Sequence, residues 1–280
     1  MRKIPGSKIA QKIKELFLLA NCNLSPDVEN ALKKTKIVEK ENTPQKVLSD
    51  LIKNAEIARK ENLPICQDTG FAIIYLEIGQ EVLITGENIE KTINQAVAEA
   101  YKEGYFRKSI VNDPIIRTNT KTNTPALIHY EIVPGNKVKI KVLAKGGGAE
   151  NKSQIKMFNP TTPEKEIIDF VVETVVKAGP SACPPFIIGI GMGGTFDYAP
   201  QLAKKALLRK TGTPNKKKHI ADLEKQILAE VNATKLGPQG LGGKTTALAV
   251  QIETFPCHIA SLPVAVNIEC HAHRVREAVI

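Results

Sequence analysis

The sequence predicts a mixed α/β fold in which helices surround mixed and antiparallel sheets. Along the 280 residues, segments with helical spacing of apolar residues alternate with short apolar runs, which is typical of strand–helix units. Two strand-like segments, 126–133 and 137–146, are joined by Pro134-Gly135-Asn136, and this turn predicts a β-hairpin. No segment has the composition of a linker. We therefore predict one domain over residues 1–280 and leave open a division into two lobes that enclose the site.

The N-terminal part, residues 1–62, is predicted to be helical because its apolar residues recur at helical spacing, beginning with Ile9, Ile13 and Leu16. Its last helix is expected at 45–62. Apolar periodicity then predicts these elements in chain order: strand 71–78, helix 89–104, the two hairpin strands, helix 164–177, strand 186–190, helices 198–209 and 218–235, and strands 245–253 and 259–269. A polar loop at 107–125, rich in Asn, Thr and Pro, precedes the hairpin.

The net charge of +10 is spread along the chain and does not predict binding to nucleic acid. The chain has no Trp and only 5% aromatic residues, so side chains on which bases could stack are scarce. A lysine-rich exposed surface and an anionic small substrate both agree with this charge. Because no apolar run reaches about 18 residues and no cleavable leader is visible, we expect a cytoplasmic protein without a membrane partner.

Residues 189–194, GIGMGG, match the dinucleotide-binding pattern G-x-G-x-x-G, but the context does not fit. An acidic residue at the end of a second strand is required about 20 residues further on, and that region is basic and then helical. We interpret these glycines as allowing a close approach of the backbone, with the start of the next helix offering amides to an anion.

Residues 237–246, GPQGLGGKTT, nearly match a phosphate-binding P-loop. The first glycine of that pattern is replaced by Pro238, and an apolar strand follows the segment where a P-loop requires a helix. The match is therefore interpreted as a chance similarity.

Five cysteines without a secretory leader make disulfides improbable and favour roles in metal binding or catalysis. Cys66, Cys183 and Cys270 each stand at a strand boundary, beside a polar loop or a loop fixed by proline. Cys22, on an amphipathic helix, and Cys257, at the start of a strand, are interpreted as structural.

Spacing alone leaves three interpretations of Cys66, Cys183 and Cys270 open. They can be unrelated buried thiols, which is the usual state of a single cysteine. They can bind zinc together with His271 or His273, although structural zinc sites favour closely spaced pairs of cysteines. They can also bind an iron–sulfur cluster that keeps one iron open as a Lewis acid.

Five segments together resemble the α subunit of class I, iron–sulfur fumarate hydratases and the related L(+)-tartrate dehydratase α subunits. They are LPICQDTG (63–70), KGGGAENKS (145–153), ACPPFIIGIGMGGTFDYAPQLAKKALL (182–208), GPQGLGGKTTAL (237–248) and HIASLPVAVNIECHAHR (258–274). The resemblance covers most of the chain, in the expected order. It implies a [4Fe-4S] cluster bound by three cysteines, and this role falls on Cys66, Cys183 and Cys270.

The resemblance also implies a set of residues around the substrate. Asp68 would be the catalytic acid–base group that handles the proton of the water or hydroxyl, although it could instead cap a turn. The substrate-binding positions are Gln67, Arg107, Gly147, Gly148 and His258. Arg117, in the same loop as Arg107, is the alternative carboxylate ligand. His271 and His273 could orient Cys270.

The resemblance implies reversible hydration of fumarate to (S)-malate, with dehydration of L(+)-tartrate as the alternative in the same enzyme class. A non-catalytic iron–sulfur or zinc-binding module is the alternative from another class. Because the sequence ends at Ile280, shortly after Cys270, and no base for the carbon-bound proton is evident, we expect a β subunit to complete the site. An α–α dimer within an α2β2 heterotetramer is the expected assembly.

Overall fold

The computed structural model describes residues 1–280 and has the mixed α/β architecture that the sequence predicts. The helices are α1 (Gly6–Cys22), α2 (Pro26–Val38), α3 (Asn42–Glu61), α4 (Ile89–Glu103), α5 (Gly147–Glu150), α6 (Glu164–Ala178), α7 (Tyr198–Ala206) and α8 (Lys218–Ala233). The strands are β1 (Arg2–Pro5), β2 (Phe71–Gly79), β3 (Val82–Thr85), β4 (Leu127–Val133), β5 (Val138–Lys145), β6 (Gln154–Phe158), β7 (Phe186–Gly194), β8 (Ala247–Cys257), β9 (Leu262–Glu269) and β10 (Val275–Val279). No helix is both long enough and apolar enough to cross a membrane.

The chain divides into two compact units, each with its own four-stranded sheet. Unit 1 comprises Met1–Ser25, Asn54–Gly147 and Arg274–Ile280, and unit 2 comprises Pro26–Lys53 and Gly148–His273. The prediction that residues 1–280 act as one domain stays a prediction.

The sheet of unit 1 has the strand order β10-β5-β2-β4. Strand β5 is antiparallel to both of its neighbours, and β4 is parallel to β2. Alternate residues of β2, such as Ile74, and of β5, such as Ile140, pack against α1 and α4 in one apolar core. The periodic residues Ile9, Ile13 and Leu16 of α1 lie in this core, as their spacing predicts.

The predicted hairpin between β4 and β5 is wrong, because β2 lies between these two strands. β2 is mostly buried and suits the inner position, whereas β4 leaves Leu127 and Ile132 exposed at the edge of the sheet. The turn after β4 passes the end of β2 instead: the Gln80 amide donates to the Val133 carbonyl at 2.8 Å. The turn pattern therefore predicts where the chain reverses, but it does not predict which strand pairs with β4.

The sheet of unit 2 has the order β6-β9-β7-β8, with β7 parallel to β8 and antiparallel to β9. Phe186, Ile188 and Ile190 of β7 belong to the core formed with α6 and α8. The intervening Gly189 and Gly191 face α7, where an added Cβ would lie 2.2 Å from the Ala203 carbonyl oxygen and 2.0 Å from that of Ala199. These glycines do allow a close backbone approach, and the partner is helix α7.

Four short strands escape the apolar pattern of the sequence: β1, β3, β6 and β10. They are four or five residues long and each contains at most one buried residue, so they carry little apolar periodicity.

The P-loop-like segment 237–246 precedes strand β8, so its order of elements is the reverse of that in a P-loop. The Lys244 amide donates to Oε2 of Glu39 at 2.7 Å, and Oε1 of Glu39 accepts from the amides of Lys40 and Glu41 at 2.9 and 3.1 Å. The buried carboxylate of Glu39 thus holds this segment to the connection between α2 and α3, inside unit 2.

Glu39 makes the stability of the fold depend on pH. Burial raises its pKa, but hydrogen bonds from the amides of Lys244, Glu41 and Lys40 outweigh this effect, and the pKa lies below the ordinary value. Because the folded-state pKa is depressed, the stabilisation is complete above the ordinary glutamate pKa of about 4.3 and is lost as the pH falls through the folded-state value. We expect Glu39→Gln to lower the free energy of unfolding at pH 7 by about 1–3 kcal/mol.

Urea unfolding of the wild type and of Glu39→Gln at pH 7 and below pH 4 measures this effect. The difference between the two proteins should shrink at the lower pH. Glu41→Gln is the matched control, since the Glu41 side chain is exposed, and it should unfold like the wild type at both pH values. An equal loss for Glu39→Gln at both pH values would contradict the prediction.

Candidate functional site

Cys66 lies between α3 and β2 in a loop that we call the Cys66 loop (residues 65–70). The Ile65 amide donates to the Asn21 carbonyl at 2.9 Å, and Asn54 Nδ2 donates to the Ile65 carbonyl at 2.9 Å. At the other end of the loop, two buried side chains donate to backbone carbonyls. Tyr101 Oη lies 2.7 Å from the Thr69 carbonyl oxygen and 2.9 Å from that of Gly70, and Asn123 Nδ2 donates to the Gly70 carbonyl at 3.1 Å. Burial raises the pKa of Tyr101 above its ordinary value, which itself lies well above neutral pH, so the hydroxyl is protonated and can donate. Both ends of the loop are therefore fixed.

The carboxylate of Asp68 is held by two backbone amides. Oδ1 accepts from the Gly70 amide at 3.0 Å, which is the turn-capping contact that Asp favours. Oδ2 accepts from the Gly147 amide at 2.7 Å, at the start of α5 and far away in sequence. The group remains partly exposed. A carboxylate that is fixed in place and open to solvent can exchange a proton with a small molecule.

Arg107 is tied to the Cys66 loop, whereas Arg117 is not. The Thr69 hydroxyl donates to the Arg107 carbonyl at 2.9 Å, and the Arg107 side chain is exposed. Arg117 has a φ of 61° and lies in a separate turn, which its amide closes onto the Asp113 carbonyl at 2.9 Å. The Arg107 backbone thus lies beside the Cys66 loop, and the choice of Arg107 over Arg117 as a carboxylate ligand stays a prediction.

Arg274 is a residue of this region that sequence reasoning missed. Its side chain is 1% exposed, and Nη1 donates to the Asp68 carbonyl and, at 3.3 Å, to Asn21 Oδ1. In the sequence it appeared only as the last residue of the motif NIECHAHR. Its position four residues after Cys270 is the one indication that the sequence offers.

Asn123 is a second missed residue. It is fully buried with a φ of 62°, and Oδ1 accepts from the Ser109 amide at 2.7 Å while Nδ2 bonds Gly70. Asn tolerates this left-handed backbone better than most residues. It fastens the polar loop 107–125, including the segment that begins at Arg107, to the Cys66 loop.

In unit 2, the loops that carry Cys183 and Cys270 are bonded to each other. Cys183 follows a short 3-10 segment, Pro180–Ala182, and Cys270 follows β9. The His271 amide donates to the Cys183 carbonyl at 3.3 Å, and Nδ1 of the same histidine lies 3.1 Å from that oxygen. His271 therefore joins the two predicted ligand loops.

Gln239 strengthens this junction. Its backbone N–H and its side-chain Nε2 both donate to the Pro184 carbonyl, at 2.8 and 2.7 Å. The same Nε2 lies 3.2 Å from His271 Nδ1. Gln239 has a φ of 55° and belongs to the P-loop-like segment. That segment thus has a structural use, since it holds the backbone next to Cys183.

The remaining predicted residues have simpler surroundings. Gln67 is exposed and accepts from Cys66 Sγ at 3.4 Å. Gly147 and Gly148 are exposed at the start of α5, and His258 is exposed in the turn between β8 and β9. His273 is 2% exposed, and its Nε2 lies 2.9 Å from the carbonyl of Leu207, the residue after α7.

The thiols of Cys66, Cys183 and Cys270 are chemically suited to bind an iron–sulfur cluster. Cys66, Cys183 and Cys270 are each partly exposed, whereas Cys22 is buried and burial raises the pKa of its thiol. Three thiolates of a cluster bind different iron atoms, so they need not meet at one ion. The structure has no group of three or more His, Cys, Asp or Glu residues placed to hold a single metal ion. The three-cysteine ligand set stays a prediction, supported by the paired loops of Cys183 and Cys270.

Comparisons with known proteins agree over nearly the whole chain. A family model described as fumarate hydratase (Fumerase) matches residues 10–279. A protein of Methanocaldococcus jannaschii, provisionally named L(+)-tartrate dehydratase subunit alpha, is 41% identical over 273 residues, which cover 95% of this chain and 95% of the relative. The L(+)-tartrate dehydratase subunit alpha of Escherichia coli strain K12 is 28% identical over 272 residues, which cover 96% of this chain and 89% of the relative.

Proposed function

The chain belongs to the fumarate hydratase (Fumerase) family of hydro-lyases, and from this premise we propose that it is the α subunit of an iron–sulfur enzyme that reversibly hydrates fumarate to (S)-malate. The observation that carries the proposal is the carboxylate of Asp68, two residues from Cys66, fixed by the amides of Gly70 and Gly147.

We assign the ligands of a [4Fe-4S] cluster to Cys66, Cys183 and Cys270. The contact between His271 and the Cys183 carbonyl supports the pairing of two of them, and the fixed ends of the Cys66 loop support the third. When bound, the cluster supplies a Lewis acid that makes hydroxide a better leaving group.

Asp68 is the acid–base group of the proposal. In the hydration direction it takes the proton of the water that adds to the double bond, and in the reverse direction it returns this proton to the leaving hydroxyl. The two amides keep the carboxylate oriented before the substrate arrives, so no reorganisation is needed during the reaction.

The substrate carboxylates need cations and N–H donors, because negative charge develops on one of them when the carbon-bound proton leaves. Arg107 offers a planar fork that matches a carboxylate. Gln67 and His258 are exposed polar side chains, and Gly147 and Gly148 are exposed without a Cβ that would block an approaching ligand. We propose these five residues as the substrate-binding set.

A β subunit is part of the proposal. Both relatives described above are named as α subunits, which supports a separate partner. The proposed site also has no residue assigned to remove the carbon-bound proton, and this base would come from the partner. We propose an α2β2 assembly with a two-fold α–α contact.

Dehydration of L(+)-tartrate is the second candidate activity, and the names of the relatives favour it. Tartrate carries one hydroxyl more than malate. A site that binds this hydroxyl by hydrogen bonds would discriminate strongly between the two substrates.

The test is an anaerobic assay of the natural complex and of the α chain alone with a reconstituted cluster. We expect the complex to hydrate fumarate and dehydrate (S)-malate, with kcat/KM for L(+)-tartrate about 10²-fold lower. The α chain alone should turn over none of the three. Preference for tartrate would favour the second candidate. Full turnover by the α chain alone would disprove the need for a partner, and no turnover of any of them by the complex would disprove the proposed function.

A further inference from the structure

Arg274 is a buried cation whose hydrogen bonds do not pair its charge. Neither of its acceptors, the Asp68 carbonyl and Asn21 Oδ1, is a carboxylate, and its Nε has no hydrogen-bond partner. Burying a guanidinium under these conditions costs free energy, which packing alone would not favour. A methionine or leucine would avoid the cost of the buried charge, but it would leave the Asp68 carbonyl and Asn21 Oδ1 without this donor. The guanidinium therefore has a bonding role in this part of the core.

Its contacts lie on the backbone of the proposed acid–base residue. The Arg274 carbonyl accepts from the Ala144 amide at 3.1 Å, which fixes the arginine backbone on β5. From there Nη1 reaches the Asp68 carbonyl, while Gly147, just beyond the end of β5, holds the Asp68 carboxylate. Residues packed at the end of β5 therefore bond both the backbone carbonyl and the side-chain carboxylate of Asp68.

Gly146 shows how closely these groups approach. A Cβ added at this buried glycine would lie 3.3 Å from Arg274 Nη2 and 3.3 Å from Asp68 Oδ2. The guanidinium and the carboxylate thus border the same small space, which the missing side chain leaves open.

We propose that Arg274 is the positioning residue of Asp68: its guanidinium locks the Asp68 carbonyl and Asn21 together and so sets the direction of the carboxylate. The proposal rests on the proposed function, because it assigns Asp68 an acid–base role. Both bonds come from Nη1, whose two N–H groups point in fixed directions in the guanidinium plane, whereas the N–H groups of a lysine ammonium rotate.

The test compares Arg274→Lys with Arg276→Lys in the natural complex. Arg276 is the matched control, because it lies two residues further along, and its Nη2 bonds the Asn23 carbonyl at 2.5 Å, close to Asn21 in sequence. Arg274→Lys should lower kcat by about 10²-fold with little change in KM, as a small misplacement of a catalytic group does. Arg276→Lys should keep kcat, and iron and sulfide contents should match the wild type in both variants.

A double-mutant cycle separates positioning from a general loss of structure. If Arg274 acts through Asp68, the double variant Arg274→Lys, Asp68→Asn should be no slower than Asp68→Asn alone. Multiplied losses would overturn the proposal. Should Arg274→Lys fail to fold, Arg274→Gln, which removes the buried charge and keeps an N–H donor, takes its place in the same cycle.

Amide hydrogen exchange of residues 65–70, followed by mass spectrometry, gives a readout that does not depend on activity. Exchange in this loop should be faster in Arg274→Lys than in the wild type and in Arg276→Lys. Unchanged exchange would overturn the proposal even if the variant were slow. If the wild-type complex turned over no dicarboxylate, the proposed function would fail, and the exchange experiment would still decide whether Arg274 holds the loop.

Discussion

Asp68→Asn should lower the turnover of fumarate and malate by about 10²–10⁴-fold, the usual loss when a positioned acid–base group is removed. Asparagine has nearly the same shape, but only one of its two terminal atoms can accept from the amides of Gly70 and Gly147. A modest loss of stability is therefore expected, with iron and sulfide retained and dicarboxylate binding preserved. Steady-state kinetics, metal analysis and thermal unfolding of the same preparation measure the three properties.

Asp113→Asn is the control for this variant. Asp113 Oδ1 accepts from the amides of Ile115 and Ile116 at 2.8 and 2.7 Å, so this carboxylate does what Asp68 would do if it merely capped a turn. We expect Asp113→Asn to keep the wild-type kcat. If Asp68→Asn behaved like Asp113→Asn, Asp68 would be a turn residue, and the proton would be handled elsewhere.

Cys183→Ala should abolish turnover and the binding of the cluster together. With one of three thiolates removed, the remaining protein ligands, Cys66 and Cys270, cannot hold the cluster in place. The loss should be complete, since no other residue is proposed to supply the chemistry of the cluster. Iron and sulfide contents and visible absorbance of the anaerobically purified complex report the cluster, and the fumarate assay reports turnover.

Two cysteine variants serve as controls. Cys22→Ala removes a buried thiol from α1, and Cys257→Ala removes an exposed one from the end of β8. Both should keep the full iron content, although Cys22→Ala should unfold slightly more easily because it leaves a small cavity. Full turnover and absorbance in Cys183→Ala would show that the ligand assignment is wrong.

Much of the fold follows from apolar periodicity. The core face of α1 and the inner strand β2 are visible in the sequence, because burial on one face or on both leaves a regular pattern. The neighbour of β4 is not visible, since strand order depends on contacts between distant segments. The glycines at 189 and 191 indicate close packing, but only the structure shows that helix α7 is the partner.

In the candidate site, too, some residues can be identified from the sequence and others only from the structure. Cys66, Asp68 and Cys270 stand out because thiol and carboxylate groups at strand ends need an explanation. Arg274, Asn123 and Gln239 do not stand out, since they act by bonding carbonyls of loops far away in sequence. A residue whose function is to hold another backbone segment shows its role only when that segment is in place.

Metal analysis of the anaerobically purified wild-type complex shows whether the chain is part of an iron–sulfur hydro-lyase. We expect iron and acid-labile sulfide in about equal molar amounts. Both should be bound in the wild type and in Asp68→Asn and absent from Cys183→Ala. Zinc in place of iron, with no sulfide in the wild type, would show that the chain is not an iron–sulfur subunit.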